Sequence, residues 1–261
     1  MTSDPGLVFG EVARAYERAR PDYPPAAARW LVGSGGIVLE LGAGTGKLTR
    51  HLVGDGHEVL ATDPDERMLA VLRELAPKAR TQVGSAEEIN LPDRSIDVIA
   101  VAQALHWFDL DRALPEMARV LRSDGVVAAV WNQRDASIPW VAKLERLLGR
   151  QDSDFDPQGF IEADERLHLV GAQEFRHWQV LDRDQLAQFV NSRSEIVVLP
   201  PAARAERVNA VLALYDEYDR GGGLRMPWIS RCFRVRLRLA DAVEPATDVP
   251  DDDGTLLIDF K

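Results

Sequence analysis

The sequence predicts an α/β protein built on a largely parallel β-sheet, and two features of its first half carry this prediction. Short apolar runs alternate with segments of helical periodicity between residues 37 and 131, which is typical of βαβ units. The first apolar run leads directly into a turn with glycines at three alternate positions, Gly42, Gly44 and Gly46. Such a turn between a strand and a helix is typical of sheets that bind a ligand at the carboxyl ends of their strands.

Each strand predicted in this half is a short apolar run, and each helix has apolar residues on one face. The strands are predicted at Ile37–Leu41, Glu58–Thr62, Thr81–Val83, Ile96–Ala102 and Val126–Trp131. Helices are predicted over Thr45–Val53, over Asp65–Leu75 and between residues 110 and 121. The run Val126–Trp131 is continuously apolar, so it is predicted to be a central strand.

The second half is less regular but continues the same domain. Helical stripes are predicted around Trp140–Leu148 and Val208–Tyr215, and strands over Phe175–Leu181 and Ile229–Leu239. Because no linker composition precedes residue 240, we expect one α/β domain followed by an acidic tail, residues 241–261.

Composition and charge exclude several classes of protein. The 261 residues include a single cysteine, Cys232, so neither an intramolecular disulfide nor a cysteine-rich zinc site is possible. The longest apolar run is too short to span a bilayer, and Met1–Arg20 lacks a secretory pattern, so we expect a cytoplasmic protein with no membrane partner. The net charge is −11, and the one dense basic cluster, Arg231–Arg238, is typical of the exposed face of a strand. No nucleic-acid partner is therefore expected.

The spacing of the glycine turn narrows the choice of ligand. A dinucleotide fingerprint would place its third glycine at position 47, which is Lys47, and Leu48 excludes a phosphate-binding P-loop. An acid, Glu40, precedes the turn; a pyrophosphate would be repelled by it, whereas a ligand with an ammonium and a sulfonium would tolerate or prefer it. The alternative is a tight turn that binds no ligand.

Asp63 closes the second predicted strand and is the candidate ribose-binding residue. A carboxylate at this place accepts hydrogen bonds from both ribose hydroxyls and repels a 2′-phosphate. The alternative is that Asp63 caps the next helix, since Pro64 and Asp65 follow it.

With these motifs in place, the sequence resembles the class I S-adenosylmethionine-dependent methyltransferases, in the small-molecule branch called type 11. The resemblance implies a Rossmann-like, doubly wound, seven-stranded and mostly parallel sheet with an antiparallel last strand and helical insertions. It also implies a lid at residues 1–30, a methyltransferase domain at 31–240, and acceptor-side insertions at 136–228. The residues that carry it are Glu40–Gly46, Asp63, Gly84–Glu87, Leu91–Asp93, Gln103–Asp109 and Trp131–Asp135, with Phe9, Tyr16, Arg20, Pro21, Tyr23 and Pro24 nearer the N-terminus.

The resemblance also implies roles for individual residues toward the cofactor, S-adenosylmethionine, whose product form is S-adenosylhomocysteine. Gly42, Ala43 and Gly44 would lie under its methionine half. Glu40 would hold its ammonium and Asp63 its ribose. Residues proposed for the adenine and the remaining contacts are Met68, Ser85, Ala86, Glu87 and Gln103, with Tyr16 and Arg20 in the lid.

Some of these assignments have structural alternatives. Met68 belongs to an apolar helical stripe and would equally suit the core. Ser85, three residues before Glu88, would also suit the start of a helix. Arg20 would pair with a carboxylate of cofactor or acceptor, or lie on the surface with its stem on Tyr16.

His106 is the candidate catalytic residue. It follows the fourth strand, where the transferred methyl group is expected, and is the one plausible general base with a suitable intrinsic pKa. The alternative is a ring packed beside Trp107. No spacing of residues predicts a metal site.

The predicted function is transfer of a methyl group to an oxygen, nitrogen or carboxylate of a small-molecule acceptor. Two alternatives remain: a regulatory module that binds the cofactor without turnover, and a nicotinamide-dependent oxidoreductase. Lys47 and the absence of a Tyr-x-x-x-Lys pair disfavour the second.

Overall fold

Seven strands form one mixed sheet in the computed structural model, which describes residues 13–14, 17–18, 20–34, 36–149 and 155–238. The strands are β1 (Ile37–Leu41), β2 (Glu58–Asp63), β3 (Arg80–Val83), β4 (Ile96–Ala102), β5 (Leu121–Arg134), β6 (Leu167–Leu181) and β7 (Leu224–Leu237). Their order across the sheet is β3–β2–β1–β4–β5–β7–β6. β7 runs antiparallel to both of its neighbours, and the other six strands share one direction. The expected seven-stranded, Rossmann-like sheet with an antiparallel last strand is confirmed.

Helices connect and extend these strands. They are α1 (Pro25–Val32), α2 (Lys47–Gly54), α3 (Glu66–Leu75), α4 (Leu110–Val120), α5 (Pro139–Leu148), α6 (Pro157–Glu162), α7 (Arg183–Asn191), α8 (Ser194–Val197) and α9 (Pro201–Tyr218), with a 3₁₀ turn at Leu105–Trp107. None of the helices in the described ranges is long and apolar enough to cross a bilayer. The whole predicted tail, residues 241–261, lies outside the described residues, as do residues 1–12, 15–16 and 19 of the predicted lid.

Alternation along the strands builds one core on each face of the sheet. In β1, Leu39 and Leu41 pack in the same buried cluster as Met117 of α4. Val38, one position before Leu39 and on the opposite face, packs in a second cluster with Leu52 of α2. This period of two, with both faces apolar, is what a central parallel strand requires.

A third core lies where the second half of the chain folds over the end of the long strands. Leu144 of α5, Phe189 of α7 and Leu214 of α9 are buried together with Trp228 of β7. This core carries the helical insertions that the sequence predicts after residue 136.

Three strands depart from their predicted bounds by more than one residue. β7 begins at Leu224 instead of Ile229 and ends at Leu237 instead of Leu239, and β5 and β6 are much longer than their apolar runs predict. β5 begins at Leu121 because its pairing with β4 shifts register between Ile96 and Val98, which accommodates residues 122–125 as an irregularity. β6 is the edge of the sheet and most of its residues are partly exposed, so its first half lacks an apolar pattern. Helix α7 was not predicted, although its capping box, Asp182 with Gln185, is visible in the sequence.

Candidate active site

A cavity of about 330 Å³ opens at the carboxyl ends of β1, β4 and β5. This is the edge at which parallel sheets bind their ligands, and the volume suits a small molecule. Seven of the residues predicted as site residues line it: Arg20, Glu40, Gly42, Ala43, Gly44, Gln103 and His106.

The three glycines of the turn after β1 all have left-handed backbone conformations, but for different reasons. Their φ angles are +68° at Gly42, +57° at Gly44 and +85° at Gly46. A Cβ atom at Gly42 would lie 2.8 Å from Ala104 Cβ, and one at Gly46 would lie 2.6 Å from Leu72 Cγ. A Cβ atom at Gly44 would meet no atom within 4 Å. Gly42 and Gly46 therefore serve packing, whereas Gly44 leaves open space in the cavity wall.

This difference predicts unequal effects of alanine on stability. Gly46→Ala combines left-handed strain with overlap against Leu72, and should lower the free energy of unfolding by about 2–5 kcal/mol. Gly44→Ala adds the strain alone and should cost about 1–2 kcal/mol. Urea unfolding of the two variants measures the difference. Equal losses would show that Leu72 does not restrict position 46.

Glu40 is the most unusual group in the cavity wall. Its side chain is completely buried, and Oε2 accepts a hydrogen bond of 2.6 Å from Thr49 Oγ1. Oε1 is buried with no hydrogen-bond partner among the described residues. Burial raises the pKa of Glu40 to about 8, and the nearby charge of Asp63 adds to the increase. In its ionised form this carboxylate has a buried acceptor at Oε1 that a hydrogen-bond donor of a ligand would satisfy.

Asp63 ties the end of β2 to the glycine turn. Its Oδ2 accepts from Gly44 N–H at 2.9 Å, and its Oδ1 accepts from Asp65 N–H at 2.8 Å. Burial raises its pKa. The N-cap of α3 is Asp65, which accepts from Arg67 N–H, so the alternative of a helix-capping role for Asp63 is wrong. Asp63 lies beside the cavity, behind Gly44, and does not line it.

The remaining residues predicted to contact adenine lie away from the cavity wall. Met68 is half-buried on α3, and Ala86 is buried in the core. Ser85 pairs with Glu88 in an isolated bridge, so no helix starts there and the predicted helix-start turn is wrong. Glu87 Oε1 accepts from Asp109 N–H at 3.1 Å. Ser85 lines a second, much smaller cavity next to β2 and β3.

Gln103 joins the ends of β4 and β5 with a strained backbone. Its φ of +60° is uncommon for a residue with a side chain. Its N–H donates to Val130 O at 2.8 Å, and its Nε2 donates to Asn132 O at 3.1 Å. Strain that the surrounding structure holds in place is typical of binding sites.

The segment before α1 is fastened to the glycine turn by a residue that the sequence reasoning missed. Glu17 accepts hydrogen bonds from Thr45 Oγ1 and from Arg50 at 2.6 Å, and it pairs with Lys47 at 3.3 Å. Farther along, Asp22 O accepts from Asn132 Nδ2 at 3.1 Å. Tyr16 lies outside the described residues. The basic character of α2 was the only sequence signal for this contact.

Aromatic side chains form the opposite side of the cavity. His106, in the 3₁₀ turn, lies with its ring centroid 5.0 Å from those of Trp107 and Phe155. Trp131 Nε1 donates to His106 Nδ1 at 3.1 Å. Arg193, only 5% exposed, also lines this cavity and was not singled out from the sequence.

In the described part of the chain, no group of three or more His, Cys, Asp and Glu side chains is arranged to hold a metal ion.

Comparison with known proteins agrees with this geometry. Residues 39–129 match the profile of the family described as "Methyltransferase domain". The chain is 41% identical over 239 residues to an uncharacterized methyltransferase of Mycobacterium tuberculosis, covering 90% of this chain and 97% of that one. It is 32% identical over 183 residues to the malonyl-[acyl-carrier protein] O-methyltransferase of Pectobacterium atrosepticum, covering 67% and 69%.

A solved structure shares the fold. A protein of Anaeromyxobacter dehalogenans described as a candidate type II methyltransferase superposes with a TM-score of 0.61 at 27% identity, covering 83% of this chain and 97% of that one. Together with the relatives, this removes the nicotinamide-dependent oxidoreductase alternative. The chain belongs to the class I S-adenosylmethionine-dependent methyltransferases, in the type 11 branch.

Proposed function

We propose that this protein transfers a methyl group from S-adenosylmethionine to an oxygen, nitrogen or carboxylate of a small-molecule acceptor. The observation that carries the proposal is the buried, unpartnered Oε1 of Glu40 in the same cavity wall as the open space at Gly44. A carboxylate fits the cofactor's ammonium, and a glycine without a Cβ lets its methionine chain approach the backbone. When bound, the cofactor supplies an electrophilic methyl group on a sulfonium sulfur.

The other predicted residues complete this binding site in the proposal. Asp63 binds the ribose hydroxyls with the lone pairs that Gly44 and Asp65 leave available. Gln103 contacts the methionine portion through its backbone. The adenine is assigned to Met68 and to the loop of Ser85, Ala86 and Glu87, and the lid contributes Tyr16 and Arg20.

The division of the chain follows from these roles. The contacts of Glu17 with the glycine turn support a lid formed by residues 1–30. Residues 136–228 supply Arg193, Phe155 and Trp228 to the cavity and are assigned to the acceptor side. Residues 241–261 are assigned as an acidic tail outside the domain.

Catalysis in this proposal depends mainly on positioning. Attack on a sulfonium methyl is an in-line displacement, and holding both reactants in place can lower the barrier by roughly 7–11 kcal/mol. His106 and Trp131 contact the acceptor side of the cavity. The relative from Pectobacterium has a name that specifies O-methylation, which supports oxygen as one candidate acceptor atom.

Asp63→Ala tests the cofactor assignment. Loss of a hydrogen bond to a charged group should weaken S-adenosylhomocysteine binding roughly 10- to 150-fold, measured by isothermal titration calorimetry. Asp65→Ala is the matched control: it removes the cap of α3, costs about 1 kcal/mol of stability, and should change the affinity less than twofold. Unchanged affinity in Asp63→Ala would contradict the ribose assignment.

A measurement of methyl transfer distinguishes a methyltransferase from a regulatory module that only binds the cofactor. A protein that binds S-adenosylhomocysteine tightly but forms none from S-adenosylmethionine with any acceptor in a metabolite extract would favour a cofactor-binding regulatory module.

A further inference from the structure

The contact between Trp131 and His106 fixes where the histidine carries its proton. An indole N–H can only donate a hydrogen bond, so His106 Nδ1, 3.1 Å from Trp131 Nε1, accepts one and bears no proton. In a neutral imidazole the proton then resides on Nε2.

Both rings are held firmly in this arrangement. Trp131 lies on β5 and is 2% exposed, with its ring centroid 5.8 Å from that of Phe155 and 5.9 Å from that of Phe233. His106 follows Leu105, which is completely buried. Protonation of Nδ1 would set one N–H against another in this packed environment, at the cost of an unsatisfied buried donor.

We infer that Trp131 is a positioning residue that keeps the proton of His106 on Nε2, so that His106 acts as a hydrogen-bond donor. His106 then binds a carboxylate oxygen of the acceptor, which is already anionic in solution, and does not deprotonate a neutral acceptor. This inference rests on the proposed function. A general base would need a vacant lone pair facing the acceptor, but Nδ1 is engaged by Trp131 and Nε2 carries the proton.

The charge of the cavity wall agrees with an anionic acceptor. Among the described residues that line the cavity, three are cationic, Arg20, Lys47 and Arg193, and one is a carboxylate, Glu40. Glu40 belongs to the end assigned to the cofactor ammonium. Of the three cations, Lys47 is paired with Glu17 at 3.3 Å, and Arg193 is 5% exposed.

The reaction with a carboxylate needs no base. The carboxylate oxygen forms a bond to the methyl carbon while the carbon–sulfur bond breaks, and that electron pair stays on sulfur. One negative and one positive charge disappear, and the products are a methyl ester and a thioether, with no proton released. A neutral hydroxyl or amine acceptor would instead release one proton per turnover.

The tautomer can be read directly by nitrogen NMR. In protein labelled with ¹⁵N-histidine and bound to S-adenosylhomocysteine, we expect His106 Nδ1 to resonate as a pyridine-type nitrogen and Nε2 as a pyrrole-type nitrogen. Trp131→Phe keeps the aromatic packing but removes the donor, and should yield a mixture of tautomers. A pyrrole-type Nδ1 or a doubly protonated ring in the wild type would overturn the inference.

Two substitutions at His106 separate a donor from a base. Glutamine places an amide N–H near the position of Nε2, whereas asparagine places its amide near Nδ1. With S-adenosylmethionine and a panel of malonate, succinate and glutarate, His106→Gln should retain kcat/KM within about tenfold and His106→Asn should lose roughly 10- to 150-fold. Equal losses of roughly 10²- to 10⁴-fold in both variants would indicate a base.

A second panel of the corresponding diols and diamines completes the test. Faster turnover of these neutral or cationic acceptors, with one proton released per methyl transferred, would overturn the inference. Failure of the proposed function is distinguishable, because the wild type would then either not bind S-adenosylhomocysteine or bind it without forming any from S-adenosylmethionine with the acceptors of either panel.

Discussion

Replacing Glu40 by glutamine is expected to stabilise the ligand-free protein and to weaken its binding of S-adenosylhomocysteine. Glutamine has the same shape and can still accept the hydrogen bond of Thr49, but it has no charge to desolvate. Burial raises the pKa of the carboxyl group at this position to about 8, well above its ordinary value of 4.5. The wild-type protein therefore loses stability whenever the solution favours the ionised form.

The direction of the pH dependence follows from this increase. Below about 4.5 Glu40 is protonated in both the folded and unfolded states, and its full contribution to stability is present. Between 4.5 and about 8 the unfolded chain releases the proton while the folded chain keeps it, so stability falls as the pH rises. At pH 8 and above, Glu40→Gln should exceed the wild type by on the order of 3–5 kcal/mol in urea unfolding.

Comparing the wild type with Glu40→Gln separates the contribution of Glu40 to the pH dependence of stability from that of the other titrating groups. The difference in the free energy of unfolding should be small near pH 4.5 and grow steadily toward pH 8. A difference that does not change with pH would show that Glu40 is ionised in the folded protein throughout.

Binding of S-adenosylhomocysteine should be coupled to the ionisation of Glu40. At pH 7 the ligand-free protein holds Glu40 largely protonated, but an ammonium group is bound best by the carboxylate. S-adenosylhomocysteine binding should therefore release about one proton, measured by calorimetry in two buffers of different ionisation enthalpy. Glu40→Gln should release none and bind more weakly. Equal proton release in both proteins would assign it to another group.

The first half of the fold could be predicted closely because its signals are local. β1 and β4 match their predicted bounds, since each is an apolar run, interrupted by a single acid, between turn residues. The glycine turn was recognised for the same reason. Sequence alone could not distinguish Gly44 from Gly46, because the difference depends on Leu72, which approaches from the next helix.

The missed parts of the candidate site depend on contacts between distant parts of the chain. Trp131 is indistinguishable from a core residue of an apolar strand until His106, 25 positions earlier, meets its indole nitrogen. Arg193 lies between two short helices with no periodic pattern. Glu17 contacts residues 28 to 33 positions later, and no local rule anticipates that pairing.

The second large effect that we expect is a loss of stability on disrupting the buried ion pair between Arg134 and Glu145. Arg134 at the end of β5 and Glu145 of α5 are 3.1 Å apart, and neither side chain is exposed. Removing one member deprives a completely buried charge of this partner, so Arg134→Met and Glu145→Leu should each lower the free energy of unfolding by about 3–5 kcal/mol. Urea unfolding at pH 7 measures both.

The double variant decides whether the pair or the packing matters. Arg134→Met with Glu145→Leu replaces both charges by apolar groups of similar volume, and such exchanges are often neutral or stabilising by about 1–4 kcal/mol. We therefore expect the double variant to be at least as stable as the wild type, a strongly non-additive result. Additive losses would mean that Arg134 acts mainly through its ring contacts, since its guanidinium lies 5.7 Å from the centroid of Phe189 and 5.8 Å from that of Trp228. In that case Arg134 would serve mainly to position Trp228 in the cavity wall.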